Sequence, residues 1–397
     1  MRIAILASHP IQYYAPLFRR LACDADIQVF YAHQPAPSEQ GSAGFGTDFD
    51  WDVDLLSGYS HTFLHNVACD PGVHHFSGCD TPDVASVLRD GHFDALLVMG
   101  WHLKFYVQGV LGAKRLGLPV MVRGDSHLQT PRSGLKKILK DFTYPVLLRQ
   151  FDAALYVGSG SRKYYEHYKY PTDRLVASPH CVDTEWFRVR SGSDAREQLR
   201  RRLGISPGTP VVLFAGKLLP FKRPYDMIDA AAACRRDGLA VECLIAGDGS
   251  LRDALVARAA ASGVPLHMLG FCNQTEMPAA YTAADCLVLP SDGNETWGLV
   301  ANEALACGTP IIVSDACGCH PDLTGLNRAG RSFAVGDISS LAGVIADLFR
   351  APPIAAALAS LSETHSLDAA AKGVLAAAHK IILLRSQATG APAGPFS

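Results

Sequence analysis

The chain has no long hydrophobic run, no excess of charge of one sign and no even complement of cysteines, and each absence removes a class of protein. Among 397 residues, 36 Lys and Arg stand against 38 Asp and Glu. The resulting net charge of −2 gives no electrostatic case for nucleic acid as a partner. No stretch approaches the roughly eighteen apolar residues of a membrane span. Met1-Arg2-Ile3-Ala4-Ile5-Leu6-Ala7 gives way at once to Ser8-His9-Pro10, a strand-length run without a signal peptide's basic region or cleavage site, which predicts a cytoplasmic protein. Eleven cysteines, among them Cys243, Cys286 and Cys307 inside apolar segments, read as reduced thiols rather than a disulfide framework. Cys317-Gly318-Cys319-His320 lacks a second ligand pair at zinc spacing, so no metal site is assigned there. Neither a Gly-x-Gly-x-x-Gly turn nor a Walker lysine loop occurs, which argues against hydride transfer and NTP hydrolysis.

What is there is a long alternation of short aliphatic runs with helical stretches, the pattern of βα units and parallel sheets. Strands are predicted at 2–7, 27–32, 93–99, 118–123, 152–157 and 174–178, then in a second series at 211–215, 241–246, 265–269, 286–290, 310–314 and 332–335. The length suits two domains, giving an α/β protein of two doubly wound, Rossmann-like halves. The joint is placed near 184–209, around the charged helix Asp194–Leu203 and Ser206-Pro207-Gly208. Residues 1–185 form the first domain and 186–365 the second. An Ala/Leu-rich helix follows at 366–386, and 387–397 reads as a disordered tail. Segment 33–60 reads as a long, functional loop.

The strongest chemical signal is Glu295-Thr296-Trp297-Gly298-Leu299-Val300-Ala301-Asn302-Glu303, directly after the apolar strand at 286–290. It reads as a helix entrance, where unpaired backbone N–H groups favour an anion. Its two carboxylates, eight positions apart, would grip different parts of one polyhydroxylated ligand. Gly216-Lys217-Leu218-Leu219-Pro220-Phe221-Lys222-Arg223 places three cations at the mouth of the same sheet, which suits a diphosphate. Gly247-Asp248-Gly249 and Gly270-Phe271 add two further glycine turns. Together these describe a nucleotide pocket.

In that order and spacing, Gly216-Lys217, Lys222, Gly247-Asp248-Gly249, Gly270-Phe271, Glu295-x7-Glu303 and Ala306-Cys307-Gly308-Thr309-Pro310 resemble the donor domain of family 4 retaining glycosyltransferases across 205–340. Cys181–Phe187 is similar to the family's interdomain segment. The resemblance implies the GT-B architecture, two Rossmann-like domains facing across a cleft, with helix 366–386 crossing back to the first. It implies that Glu303 holds the nucleotide ribose and Glu295 the sugar hydroxyls. Lys222, with Lys217 where the family has arginine, would neutralise the diphosphate, and the N–H groups of Trp297, Gly298 and Leu299 would bind sugar or phosphate. The donor would be a UDP- or GDP-sugar, with no cofactor and no metal, since lysines fill the leaving-group site and no Asp-x-Asp pair stands directly before them.

The first domain departs from the family's paired glycines after the first strand. It carries Ser8-His9-Pro10-Ile11-Gln12-Tyr13-Tyr14-Ala15-Pro16-Leu17, which resembles a bacterial subgroup associated with surface polysaccharide assembly. His9, Gln12 and Tyr13 are the acceptor-side candidates, and the loop 33–60 is assigned to the acceptor with them. Either Asp125 or His127, after the predicted strand at 118–123, would face the donor sugar. Ser133–Phe142 is a basic amphipathic stretch that reads either as a solvated helix face or as a peripheral membrane contact for a lipid-linked acceptor. The expectation is a retaining, front-face transfer of a hexose to a saccharide or lipid-linked hydroxyl. The rivals are an inverting enzyme or epimerase using Asp125, His127 or His9 as base, and a non-catalytic nucleotide-sugar-binding protein.

Overall fold

Continuous apolar runs such as Ile3–Ala7 and Val211–Ala215 are buried on both faces, the condition of strands inside a parallel sheet covered by helices on each side. The structure, a computed structural model, describes residues 1–42, 46–325 and 329–389. Its first sheet comprises β1 (Arg2–Ala7), β2 (Asp26–Tyr31), β3 (Ser60–Phe63), β4 (Ala95–Val98), β5 (Val120–Gly124), β6 (Ala153–Tyr156) and β7 (Leu175–Ala177). The second comprises β8 (Val211–Ala215), β9 (Glu242–Ala246), β10 (Leu266–Gly270), β11 (Cys286–Leu289), β12 (Ile311–Ser314) and β13 (Gly330–Phe333). The strand orders are β3-β2-β1-β4-β5-β6-β7 and β10-β9-β8-β11-β12-β13, parallel throughout.

Both orders reverse direction beside the first strand of the sheet, between β1 and β4 and between β8 and β11. At such a switch point the loops leaving the strand ends diverge and leave a crevice. Every candidate site residue named above lies after β1, β5, β8 or β11, except those of the Gly247-Asp248-Gly249 and Gly270-Phe271 turns at the ends of the neighbouring β9 and β10.

β3 is a strand the pattern did not reveal, because Ser-His-Thr-Phe is polar and lies at a sheet edge with alternate residues exposed. The segment 33–60 is not loop throughout, since Pro37–Ser42 is helical. β13 begins at Gly330, two residues before its predicted start. The charged helix appears as Ser193–Leu203. Its Arg196 and Arg200 both reach Asp285, at 2.6 and 2.9 Å, and Arg200 also donates to the Ala283 carbonyl. Those bonds tie the 184–209 segment to the second domain.

The last helix, Leu367–Thr389, returns to the first domain. Ala370, Ala371, Val374, Ala377, Ala378 and Ile381 join the core formed by Ile3, Ile5, Leu17 and Phe18. A Cβ at Gly373 would stand 1.9 Å from the Ala177 carbonyl oxygen, so only glycine lets the helix lie this close to β7. The helix runs three residues past its predicted end, and of the expected tail, 390–397 lie outside the described residues.

Candidate active site

Lys222 ends a short turn, Pro220–Lys222, after β8. Its ammonium is ion-paired with the Glu295 carboxylate, to which the Ser291 hydroxyl also donates at 3.1 Å. Both side chains are largely withdrawn from solvent, at 15% and 11% exposure. Lys217 lies nearby, its pKa lowered by burial and by the Lys222 charge, against the pull of Glu295.

The two glutamates do not share a helix. The helix spans only Val300–Ala306, so Glu295 is on the loop before it and Glu303 in its first turn. Gly298 between them has φ +95°, outside the helical region, and a Cβ there would meet Leu289 Cδ2 at 2.4 Å. The loop is braced from behind: the Gly318 N–H donates to the Glu295 carbonyl at 3.0 Å and the Cys319 N–H to that of Trp297 at 3.2 Å. The Trp297 indole donates to Asn302 at 2.8 Å and packs on the His180 ring. The Cys317–His320 segment, without a role in the sequence, is this brace. Among the described residues the N–H groups of Trp297, Gly298 and Leu299 make no backbone hydrogen bond.

Glu303 is buried and accepts from the Tyr281 hydroxyl at 2.5 Å and from the Tyr13 hydroxyl. Burial pushes its carboxyl up to about 7, against the two phenol donors. Tyr13, the acceptor-side candidate on the first domain, thus reaches Glu303 on the second. Gln12 beside it lines two cavities, one of about 50 Å³ with Tyr13, Asp183 and Trp186 and one of about 200 Å³ with His9, Trp51 and Lys217.

Gly216 and Gly247 have φ of +133° and +156°. A Cβ on Gly247 would stand 1.9 Å from the Gly216 carbonyl oxygen, so this glycine is required by the packing of one turn on the other. The Asp248 carboxylate is held by Arg252 at 2.5 Å and by the Gly249 N–H at 2.8 Å, which makes it part of the turn's own framework.

Phe271 is covered by Phe49, ring centroids 4.3 Å apart. Around that contact the loop is strapped to the second domain. Asn273 donates to the Asp50 carbonyl at 2.7 Å, and the Thr275 N–H and hydroxyl reach the Asp52 carboxylate. The loop 33–60, expected to serve the acceptor, is therefore also a bridge between the domains. It also carries Asp48, Asp50, Asp52 and Asp54, an alternation that the lysine argument passed over. Two of these carboxylates hold local structure, Asp52 through Thr275 and Asp54 through Ser57 and Leu56, which hold the Asp54 carboxyl at about 2. No cluster of metal-ligating side chains occurs among the described residues.

On the first domain, Asp125 follows β5 and accepts from the Thr296 hydroxyl at 2.8 Å, directly across the cleft. Burial works against its charge, yet the His180 ring 3.9 Å away and Thr296 hold its carboxyl well below the ordinary range. His127 lies near the Glu295 backbone, its pKa lowered chiefly by burial. Both candidates after β5 thus approach the 295–296 loop. His9 hydrogen-bonds Ser8 at 2.9 Å and is lowered to about 4 by burial, with His33 and His74 adding to the effect. It is a neutral imidazole at pH 7. His180 was missed: buried between Asp125 and Trp297, it carried no signal beyond a histidine just before the Cys181–Phe187 segment.

Residues 195–363 match the family model described as glycosyl transferases, group 1. A D-inositol 3-phosphate glycosyltransferase of Nocardia farcinica is 36% identical over 185 residues, 44% of this chain and 38% of that protein. One from Rhodococcus erythropolis is 32% identical over 237 residues, 55% and 51% of the two. Such alignments span from about a third to just over half of the relatives' length. Among solved structures, a glycosyltransferase from Rickettsia africae matches with a TM-score of 0.69 at 14% identity, covering 96% of this chain and 98% of that one. Anabaena HepE in complex with UDP and glucose gives 0.68 at 18%, covering 94% and 98%. WaaG, a glycosyltransferase involved in lipopolysaccharide biosynthesis, gives 0.60 at 15%, covering 96% and 99%. At those identities the likeness is one of fold. The chain thus has the GT-B architecture of two facing parallel-sheet domains, and residues 195–363 of it are similar to the group 1 glycosyl transferases.

Proposed function

We propose that the protein is a retaining glycosyltransferase that moves a hexose from a nucleoside diphosphate to a hydroxyl of a saccharide or lipid-linked acceptor, in the cytoplasm and in the assembly of a surface glycan. The observation that carries this reading is the buried Lys222–Glu295 pair at the switch point of the second sheet, facing Asp125 across the cleft. A sugar diphosphate offers each partner a replacement: phosphate oxygens for the ammonium, sugar hydroxyls for the carboxylate. Exchange of partners keeps both charges satisfied where an unpaired one would be costly.

Charge grows on the departing phosphate as the sugar becomes oxocarbenium-like. Lys222 and Lys217 are fixed cations at that place, so they stabilise the transition state more than the ground state. A leaving phosphate oxygen on the acceptor's face of the sugar takes the acceptor proton, which needs no protein nucleophile. Glu303 suits the ribose hydroxyls. UDP is the first nucleotide to test, since HepE was solved with it.

The test is turnover of UDP- and GDP-hexoses with an acceptor panel that includes inositol 3-phosphate, after the name of the relatives, with product configuration read by NMR. An α product from an α donor, formed in excess chelator, is the expected result. A β product would favour an inverting enzyme with Asp125, His127 or His9 as base. Complete loss in chelator, restored by magnesium or manganese, would overturn the lysine-only leaving-group site.

A further inference from the structure

The Gly134–Leu148 helix of the first domain has its apolar stripe on the outside. Leu135, Ile138, Leu139, Phe142 and Val146 are exposed, Leu135 to 79% and Phe142 to 78%. On a helix turning about 100° per residue these five positions fall within an arc of about 100°. The side facing the protein holds Leu148, its one buried residue, and Tyr144, whose ring packs on Tyr164 and Tyr168. A helix of a soluble domain normally has the reverse arrangement.

Lys136, Lys137 and Lys140 lie on the same helix, with Arg132 and Arg149 at its two ends. Its one acid, Asp141, is paired with His167 at 3.2 Å. An apolar stripe edged with cations repels a second copy of itself and complements an anionic lipid surface. No single helix among the described residues is long and apolar enough to cross a membrane, so the contact available to this helix is with the surface.

We propose that this helix docks the first domain on an anionic bilayer, its five apolar side chains entering the headgroup boundary and its lysines meeting lipid phosphates. The placement bears on the acceptor. Seven residues before the start of the helix, His127 lines a cavity of about 400 Å³ with Gln129, Lys163, Asp315, His320 and Pro321. Resting on the glycosyltransferase reading, this cavity is the entrance for a lipid-linked acceptor held in the same membrane. The docking itself needs no activity and is tested without it.

The experiment is cosedimentation of the full chain with vesicles of phosphatidylcholine alone and with one-third phosphatidylglycerol. Binding to the anionic vesicles at least tenfold stronger than to the neutral ones, and lost in 0.5 M salt, is expected. Leu139→Ser with Phe142→Ser should lower it at least tenfold, as should Lys136→Glu with Lys140→Glu. Lys136, Leu139 and Phe142 are exposed, whereas Lys140 is half-buried with its ammonium 4.4 Å from the Tyr144 ring centroid, so circular dichroism checks folding. A Phe142→Trp variant should show added fluorescence quenched by brominated lipid. Absence of binding to anionic vesicles, or equal binding to neutral ones, would overturn the proposal. So would a dimer by light scattering that the Leu139 and Phe142 substitutions dissolve, since the stripe would then be an interface between copies.

Discussion

Lys222 and Glu295 satisfy each other in the cleft, and on the proposed reading a donor sugar would part them. Lys222→Ala should lower kcat by roughly 10²–10³, the usual effect of removing one preorganised group at developing charge, with a smaller change in nucleotide affinity. Glu303→Gln should mainly raise the donor KM if it holds the ribose as proposed, because the ribose does not change during transfer. Steady-state kinetics on both variants check this, and a kcat loss confined to Glu303→Gln would mean that the roles are reversed. Glu303 is buried, but glutamine keeps an acceptor for Tyr13 and Tyr281. The same carboxyl gives a pH signature. Its folded value of about 7 lies above the ordinary 4.5, so the folded chain holds a proton that the unfolded chain has lost between those values. The stability it contributes is full below 4.5 and lost as pH rises through 7. The Tm of Glu303→Gln relative to the parent should therefore climb from pH 5 to pH 8 in ligand-free protein. A constant difference across that range would mean that Glu303 titrates normally.

The elements were legible where one physical pattern dominates. Twelve strands were found within about two residues, most of them because apolar residues dominate the run, whereas β3 is polar and at an edge, and hydropathy has no purchase there. The helix after β11 was read five residues too early because its polar and apolar positions extend back to Glu295, although Gly298 signalled the break. The brace behind that loop is an element-level feature with its own test. A Cβ at Gly318 would stand 1.7 Å from the Thr296 carbonyl oxygen, and backbone cannot yield as a side chain does. Gly318→Ala should cost about 1–3 kcal/mol, the range of overpacked sites, and weaken donor binding about tenfold by displacing Glu295. Denaturant melts and nucleotide titration measure the two. A variant of parental stability and affinity would show the brace to be dispensable.

At the scale of the whole molecule, the two domains are joined by contacts besides the chain itself. Asp322 accepts from Ser159, Asp125 from Thr296 and Asp52 from Thr275, and Phe49 covers Phe271. Phe49→Ala with Asp52→Ala should release the strap. The expected result is a larger radius of gyration by small-angle scattering, faster proteolysis within 46–57 and nucleotide affinity weakened several-fold. An unchanged radius and affinity would return the loop to a purely acceptor role. By itself the sequence determined the two sheets and which charged residues gather at the edge of the second. Lys217, Lys222, Glu295 and Glu303 lie on loops after strands of one parallel sheet, and the ends of such strands gather on one edge whatever surrounds them. Only the tertiary structure decided that Tyr13 reaches Glu303, that His180 lies beside Asp125, that Gly318 supports Thr296 and that the 46–57 loop spans the cleft. Thr296 and Asp125 are 171 residues apart in the chain. A contact of that kind depends on how two separately formed cores face each other, and no local periodicity or propensity encodes that orientation.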